Sequence, residues 1–346
     1  MMQEHLQKIV SPLLVWYAKN RKDYLWRQDK DPYHVWVSEI MLQQTRIEPV
    51  KAYYARFMQA LPTLEDLGRV SEEQLLKLWE GLGYYSRARN LHKAAQMILS
   101  DCGGQFPQTY RELRKLPGIG DYTAGAIASI CFGEKVPAVD GNVLRVVARI
   151  VGSDKNVLLN DTKKEVTAWL QAVMPSASGD FNEALMELGE NICLPNGSPL
   201  CESCPLQEYC TAYQKGLTEQ LPVRIKTVKR RQQEKTVLLL VSDKGRIAIE
   251  KRGDKGLLAG MYQLPNEDGY YTAEALWDKL LSWQIEPLEI IPLGSSKHIF
   301  THIDWLMEGF RVRVAAENGR FLWVTPEELH AHYALPTAFK YYDRCY

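Results

Sequence analysis

No stretch of this 346-residue sequence is apolar over the roughly 20 residues that a membrane-spanning helix needs. Its first residues do not join a basic segment to an apolar one, so we expect no signal peptide and a cytoplasmic protein. Net charge is absent too, since 42 Lys and Arg balance 42 Asp and Glu. Nucleic-acid binders are usually basic, so this balance counts mildly against that class, although a local basic patch is enough to bind phosphates.

Cysteine is scarce, with seven residues in the chain, but four of them are clustered with the spacing C-x7-C-x2-C-x5-C. Clustering without a secretion signal favours a metal or cluster site over disulfides. Four thiolates satisfy either a tetrahedral zinc ion or a [4Fe–4S] cluster. The sequence therefore predicts a metal site at Cys193, Cys201, Cys204 and Cys210.

Length and residue patterning predict two domains of different class. Residues 1–215 show apolar residues at helical spacing, divided by Gly- and Pro-containing turns, so this domain is predicted to be all-α. Residues 216–235 are predicted to be a linker, because their C-terminal half is strongly basic and has no apolar periodicity. Residues 236–346 combine short β-branched or aromatic runs with one helix, which predicts an α+β domain.

The pentapeptide LPGIG, residues 116–120, joins two helical patterns within a region of about 110–132. Gly118 and Gly120 precede a helix, where backbone N–H groups free of side chains can approach an anion. Such a segment is either a helix-hairpin-helix clamp on a DNA phosphate or an ordinary tight turn between helices.

Two carboxylates lie in unusual surroundings. Glu39 is in an almost wholly apolar helical segment, where it faces either solvent or a pocket. In a pocket, burial would raise its pKa and make it a general acid. Asp140 precedes a helix as an N-cap, where backbone donors and the helix dipole favour its ionised form. A protonated and an ionised carboxylate are the pair that cleavage of a glycosidic bond requires.

The segment GLGYYSR, residues 81–87, is rich in glycine and tyrosine. It is either a wedge that enters a base stack or a core tyrosine beside a loop.

Together these motifs resemble the helix-hairpin-helix DNA glycosylase superfamily, and within it the adenine glycosylases of the MutY family. The resemblance covers essentially the whole chain, with seven pieces in family order. They are LWR (25–27), VSEIMLQQT (37–45), WEGLGYYSR (79–87), LPGIG (116–120), VDGNV (139–143), FNEAL (181–185) and the cysteine cluster. The resemblance implies a six-helix-barrel catalytic domain, an iron–sulfur module ending in the cysteine cluster at 193–210, and a Nudix-like C-terminal domain.

The resemblance also implies roles for individual residues. Glu39 would protonate a flipped adenine at N7, and Asp140 would stabilise the oxocarbenium-like sugar, with hydrogen bonds from Asn142 and Tyr122 supporting that charge. The remaining residues would line the adenine pocket or contact DNA: Arg27, Glu183, Gln44, Thr45, Leu82, Tyr84, Gly118 and Gly120.

Tyr122 stands where endonuclease III-like relatives have a lysine that forms a Schiff base. Because tyrosine cannot form an imine, the resemblance implies a glycosylase that leaves the strand uncut at an abasic site.

The C-terminal domain resembles the Nudix-like domain of the family through the segment at 256–265, but the hydrolase signature expected after it is missing from 266–283. In the family this domain recognises 8-oxoguanine through a Phe-Ser-His loop. Phe300, Thr301 and His302 match that loop, with threonine in place of serine. The cysteine cluster also departs from the family, because its first spacing has one residue more than the usual C-x6-C.

The sequence thus predicts an adenine DNA glycosylase with a [4Fe–4S] cluster, acting as a nucleoid-associated monomer on double-stranded DNA with A opposite 8-oxoguanine or G and not on membranes. Two alternatives stay open at this point. One is an endonuclease III-like glycosylase/lyase for oxidised pyrimidines. The other is a mismatch-binding protein without catalytic activity.

Overall fold

The computed structural model describes residues 2–195, 197–225 and 230–345. Within these residues the chain forms two compact units. The first comprises residues 2–69 and 89–225, and the second comprises residues 70–88 and 230–345. The segment 70–88, which the sequence patterning assigned to the helical domain, therefore groups with the C-terminal residues.

The N-terminal two thirds of the chain are helical. The helices are α1 (Met2–Asn20), α2 (Pro32–Leu42), α3 (Ile47–Ala60), α4 (Leu64–Arg69), α5 (Glu72–Leu78), α6 (Ser86–Asp101), α7 (Tyr110–Leu113), α8 (Asp121–Phe132), α9 (Gly141–Val151), α10 (Asn160–Gln171), α11 (Ser178–Asn191) and α12 (Thr211–Gln214). Helix α5 and the first turn of α6 belong to the second unit. Among the described residues of the first unit we find no strand, as the apolar periodicity predicts.

The ends of these helices follow from local sequence signals. Asp31 caps α2 by accepting a hydrogen bond from the N–H of Tyr33, with Pro32 at the first helical position. Gly133 ends α8 and Gly152 ends α9, both in the left-handed conformation that glycine adopts without steric cost. These caps determine where α2 begins and where α8 and α9 end, and all three helices surround the candidate site.

Helices α1, α9, α10 and α11 share one apolar core. Fully buried side chains such as Leu13, Val147, Leu170 and Phe181 pack together there. Helix α2 packs on α8 and on α3. Burial of this continuous core holds the helices that carry the candidate site in fixed positions.

The second unit is built on a mixed sheet with the spatial order β3-β2-β1-β6-β5, to which β4 adds on β1 and β7 adds on β2. Its elements are β1 (Arg231–Ser242), β2 (Ile247–Lys251), β3 (Tyr262–Gln263), β4 (Asn266–Asp268), α13 (Ala273–Ser282), β5 (Pro287–Ile299), β6 (Ile303–Val314), β7 (Leu322–Val324) and α14 (Pro326–His332). β1 and β6 are parallel, and the other paired strands are antiparallel.

Strand β1 is buried on both faces. Val237 and Leu239 face a core that includes Leu329 of α14, and Leu238 and Leu240 face a second core that includes α13. This explains why the strand is a continuous apolar run instead of an alternating one.

Strand β1 also begins earlier than the sequence predicts. Residues 231–235, which the basic composition assigned to the linker, pair with β6 from Arg231↔Ile303 onwards. Part of the predicted linker, residues 226–229, lies outside the described residues. No helix in the described part of the chain is long and apolar enough to span a membrane.

Candidate active site

Helices α2, α8, α9 and α11 surround a cavity of about 890 Å³ in the first unit. Ten of the residues singled out from the sequence line it: Arg27, Glu39, Gln44, Thr45, Gly118, Gly120, Tyr122, Asp140, Asn142 and Glu183. The fold therefore brings together motifs that are more than 150 positions apart in the chain, from Arg27 to Glu183.

Glu39 faces this cavity from α2 and is only 7% exposed. The interpretation that places it on a solvent face of the helix is therefore wrong. The Tyr122 hydroxyl donates a hydrogen bond to Oε2 of Glu39. Burial raises the pKa of Glu39 to about 7, and the hydrogen bond from Tyr122 opposes this rise without cancelling it. The carboxyl group can therefore hold a proton near neutral pH.

Tyr122 is the second residue of α8, and its side chain reaches α11. Its hydroxyl oxygen is also 3.1 Å from Sδ of Met186. Burial first, and then the neighbouring carboxylates of Glu39 and Asp140, raise the pKa of Tyr122 well above its ordinary value. The phenol therefore stays protonated and acts as a hydrogen-bond donor.

Asp140 is both an N-cap and a cavity residue. Its Oδ1 accepts a hydrogen bond of 2.7 Å from the N–H of Val143, and its Oδ2 accepts one of 2.9 Å from Nδ2 of Asn142. Burial raises the pKa of Asp140 from its ordinary value, because it outweighs these donors and the nearby Arg145. The donors that the N-cap position predicts are present, but they do not offset the effect of burial on this pKa. Asn142 is held in turn by Arg145, whose Nη2 donates to Oδ1 of Asn142 at 2.9 Å.

Arg27 forms ion pairs with two carboxylates of α11. Its Nε lies 3.0 Å from Oε1 of Glu183, and its Nη1 lies 2.5 Å from Oε2 of Glu187. Tyr17 donates to the other oxygen of Glu183 at 3.0 Å, and the N–H of Lys22 donates to the other oxygen of Glu187 at 3.1 Å. All four carboxylate oxygens therefore have a partner.

Sequence reasoning missed Glu187 and Tyr17. Glu187 is 2% exposed and lies one turn after Glu183 on α11. A second glutamate four positions on, and therefore on the same face of the helix, was the available signal.

The hairpin between α7 and α8 depends on one of its glycines. Gly118 has φ +75°, and a Cβ there would lie 2.5 Å from Cβ of Asn90. Gly120 caps α8 with an ordinary φ of −87°, and nothing lies within 4 Å of its Cβ position. The turn is braced by Arg114, whose Nε is 2.6 Å from Oδ1 of Asp121. Both hairpin glycines line the cavity, at the N-terminus of α8.

The four clustered cysteines surround a loop region next to α9. Arg149 of α9 donates from Nη1 to Sγ of Cys193 at 3.2 Å, and Sγ of Cys210 lies 3.5 Å from the Arg149 carbonyl oxygen. Burial and then the neighbouring thiols of Cys193, Cys210 and Cys201 raise the pKa of Cys204 to about 12, so the four sulfurs are close enough to affect one another. In the described part of the chain no three metal-ligating side chains converge on a single-ion site.

The other residues singled out from the sequence lie in the second unit. The Tyr84 hydroxyl and Oγ1 of Thr301 are 3.1 Å apart, and both side chains are exposed. His302 is exposed, whereas the Phe300 ring packs on Trp305 with 4.9 Å between ring centroids. Leu82, for which the resemblance implies a DNA contact, is 7% exposed.

Comparison with known proteins matches both the helical region and the α+β region to known families. Residues 37–176 match the HhH-GPD superfamily of base excision DNA repair proteins, and residues 236–342 match the NUDIX domain. The adenine DNA glycosylase of Mus musculus is 35% identical over 402 aligned positions, which cover 97% of this chain and 77% of the mouse protein.

Solved structures agree with the helical part. A thermostable thymine-DNA glycosylase aligns with a TM-score of 0.56 and 31% identity, covering 61% of this chain and 98% of its own. A trapped endonuclease III–DNA covalent intermediate aligns with a TM-score of 0.53 and 25% identity, covering 62% of this chain and 98% of its own.

A hairpin-bearing helical domain with a protonatable glutamate and an aspartate in one cavity defines a DNA glycosylase of base excision repair. The predicted fold class is confirmed, with a helical domain followed by a Nudix-like α+β domain. The chain belongs to the adenine DNA glycosylase family and is an enzyme that cleaves N-glycosidic bonds in DNA.

Proposed function

We propose that the enzyme removes adenine that lies opposite 8-oxoguanine or G, by hydrolysis and without cutting the strand. The observation that carries this proposal is the presence of Glu39, with a pKa of about 7, in the same cavity as Asp140. A base must leave the duplex to reach such a cavity, so the substrate nucleotide is flipped.

Glu39 supplies the proton in this scheme. Protonation of the adenine ring at N7 by the neutral carboxyl group makes the base a better leaving group. The pKa near 7 suits this task, because a useful share of the carboxyl groups still holds a proton under neutral conditions. The Glu39 carboxylate that results keeps the hydrogen bond from Tyr122.

Asp140 stabilises the positive charge that develops at C1′ of the sugar as the bond to adenine breaks. Water then adds to C1′ and loses a proton to solvent, which leaves neutral adenine and an abasic sugar. Asp140 must be ionised to stabilise this charge, and the N–H of Val143 and the amide of Asn142 both favour that form. The two carboxyl groups thus have opposite protonation states during the reaction, as acid-assisted glycosidic cleavage requires.

Strand cleavage is not part of the proposed reaction. A Schiff base with the sugar needs an amine, and Tyr122 has none. Lys163 is the one lysine among the described residues that line the cavity. It is therefore the residue to replace if a covalent adduct with DNA is ever trapped.

A [4Fe–4S] cluster is proposed on Cys193, Cys201, Cys204 and Cys210. The four cysteines supply the four thiolates that a [4Fe–4S] cluster takes as ligands, and none of them is in a disulfide. Backbone N–H groups after Cys204 and Cys210 are directed at their sulfurs, as is common around such clusters. When bound, the cluster would serve to fix this loop. Iron and sulfide analysis of the purified protein tests this, and one zinc per chain would contradict it.

The base opposite adenine is proposed to be read by the second unit. Tyr84 and Thr301 place two hydroxyl groups on one exposed surface, where they can bind polar groups of a modified guanine. Threonine keeps the hydroxyl of the family's serine.

Single-turnover base release tests the proposal as a whole. Duplexes with A opposite 8-oxoguanine, G or T are incubated with the enzyme, with and without later alkali. We expect cleavage only after alkali, fastest opposite 8-oxoguanine and absent opposite T. Strand breaks without alkali, together with a borohydride-trapped complex, would support the glycosylase/lyase alternative.

The matched variant for this assay is Glu39→Gln. We expect it to bind the duplex and to release adenine at least about 100-fold more slowly. Equal rates for the variant and the wild type would remove Glu39 from the mechanism.

A further inference from the structure

A pair of charged residues ties the α5 region to the C-terminal residues of the second unit. Oε1 of Glu80 accepts a hydrogen bond of 3.0 Å from the N–H of Leu335. Oε2 of Glu80 lies 2.7 Å from Nζ of Lys77, and that Nζ also donates to the carbonyl oxygen of Tyr333 at 3.2 Å. We call this arrangement the Glu80 clasp: Lys77 and Glu80 with the main chain of Tyr333 and Leu335.

The clasp contacts a segment that packs into the core of the second unit. Tyr333 and Leu335 follow α14 directly, and Leu335 is buried in the same core as Leu329 of that helix. The side chains of Lys77 and Glu80 are 23% and 33% exposed, so their ion pair is less screened than one on an open surface. Contacts to main-chain groups also fix position more strictly than contacts between two long side chains.

A tight turn connects the clasp to Tyr84. Gly81, Gly83 and Tyr84 all have positive φ values, of 97°, 70° and 48°. Arg87, which is 9% exposed, donates from Nη2 to the carbonyl oxygens of Leu82 and Gly83 at 3.1 and 3.2 Å. Because this turn is so constrained, the position of Glu80 determines the position of Tyr84.

Tyr84 ends this chain of contacts at the exposed loop between β5 and β6. Its ring lies near the Arg87 guanidinium, 5.5 Å from the ring centroid, and its hydroxyl is 3.1 Å from Oγ1 of Thr301. The Tyr84–Thr301 contact therefore depends on where the preceding residues are anchored.

We propose that Glu80 is a positioning residue for recognition of the base opposite adenine. The clasp keeps Tyr84 on Thr301, and this pair distinguishes 8-oxoguanine from G. This inference rests on the proposed function, because it assumes that Thr301 contacts that base.

Single-turnover rates on duplexes with A opposite 8-oxoguanine and A opposite G test the inference. We expect Glu80→Ala to lower the ratio of the two rates about tenfold, by slowing release opposite 8-oxoguanine while release opposite G is unchanged. The unchanged rate opposite G also shows that the variant is folded. Glu80→Gln keeps an acceptor for Leu335 and is expected to have a smaller effect.

Glu73→Ala is the matched control. Glu73 lies on α5, the helix that precedes Glu80, and contacts the same unit, with Oε1 3.4 Å from the Tyr262 hydroxyl and 3.8 Å from Nζ of Lys251. These contacts are to side chains, and Glu73 lies farther in sequence from Tyr84 than Glu80 does. We expect it to leave the rate ratio unchanged.

A double-mutant cycle with Thr301→Val decides whether Glu80 acts through the proposed contact. If it does, Glu80→Ala has no further effect on the ratio in the Thr301→Val background. Independent, multiplying effects would overturn the inference, and so would equal slowing on both duplexes by Glu80→Ala. A wild-type enzyme that does not distinguish the two duplexes, or a Thr301→Val variant with an unchanged ratio, would instead refute the proposed role of Thr301.

Discussion

The hydroxyl of Tyr122 on α8 donates a hydrogen bond to Oε2 of Glu39 on α2. A donor to a carboxylate favours its ionised form, so this contact works against the burial that favours the neutral acid. The resulting pKa of about 7 is a balance between the two effects. Two residues more than 80 positions apart thereby set the proton affinity of the proposed acid.

The first prediction concerns the pH dependence of base release. Glu39 must be protonated, so the single-turnover rate should fall about tenfold per pH unit once pH exceeds about 7. Asp140 must be ionised, and since burial raises its pKa, the acid limb should lie above the ordinary range for aspartate. The measurement is the rate profile on A opposite 8-oxoguanine. A rate that rises steadily through pH 9 would contradict an acid role for Glu39.

Removal of the tyrosine hydroxyl should shift that profile. In Tyr122→Phe the Glu39 carboxyl group loses the hydrogen bond that lowers its pKa. The alkaline limb of the rate profile should therefore move to higher pH by about one unit. Met186→Leu is the control, because it removes the sulfur near the same hydroxyl but leaves the donor in place. An alkaline limb that stays put in Tyr122→Phe would show that the contact does not tune the acid.

Glu39 should also reduce stability at high pH. Its pKa in the folded protein, about 7, lies above the unfolded value of about 4.5, so the folded state binds the proton more tightly. The free energy of unfolding therefore falls as pH rises from about 4.5 to about 7 and stays lower above that. Glu39→Gln should be more stable than the wild type by of order 1–3 kcal/mol above about pH 8, and equal to it near pH 4.

Denaturant unfolding at the two pH values measures this difference. The control is Glu48→Gln, which makes the same substitution at a glutamate whose side chain is 81% exposed. A Glu39→Gln variant with the same stability gain at both pH values would point to packing instead of ionisation.

The two hairpin glycines should respond differently to alanine. Gly118→Ala places a Cβ against Asn90 and strains a positive φ, so we expect a loss of about 1–3 kcal/mol in stability. Gly120→Ala meets nothing within 4 Å and should cost no more than about 1 kcal/mol. It should nevertheless weaken DNA binding, because the methyl group projects beside the open N-terminus of α8. Thermal unfolding and fluorescence anisotropy give the two readouts, and normal binding by Gly120→Ala would argue against a phosphate at this turn.

Glu187 should matter for catalysis although it was not visible as a site residue in the sequence. Glu187→Gln keeps an acceptor for the N–H of Lys22 but loses the ion pair with Arg27, so the base-release rate should fall about tenfold with duplex affinity unchanged. The control is Asp180→Asn, an acid of the same helix that does not line the cavity. Loss of binding in step with loss of rate would indicate a purely structural role.

Helix positions follow closely from sequence because they depend on local signals. The apolar pattern predicts a helix over Val35–Thr45, and the structure has α2 over Pro32–Leu42, because Asp31 caps it earlier and Gln44 has a positive φ. The pattern likewise predicts a strand over Thr236–Val241, within the observed β1. Apolar periodicity does not predict the polar residues 231–235 that begin this strand, because they join it by pairing with β6.

The site is less accessible from sequence because it is made by tertiary contact. Motif resemblance supplies Glu39 and Asp140, but only the fold shows that they share a cavity and that Glu39 is buried. Glu187 carries no motif, and its partners come from other helices and loops. The grouping of residues 70–88 with the C-terminal residues also depends on contacts between distant segments, such as Glu80 with Leu335.

The dual use of Asp140 has a consequence for how this enzyme is inactivated. Its Oδ1 caps the N-terminus of α9, and its Oδ2 accepts a hydrogen bond from the amide of Asn142. The same carboxylate therefore stabilises the helix and takes part in the proposed reaction. On heating, the first turn of α9 frays before the apolar core unfolds, and the carboxylate then moves out of its position in the cavity. Loss of activity on warming should therefore precede loss of helical signal, and residual activity becomes an early indicator of local unfolding at one helix end.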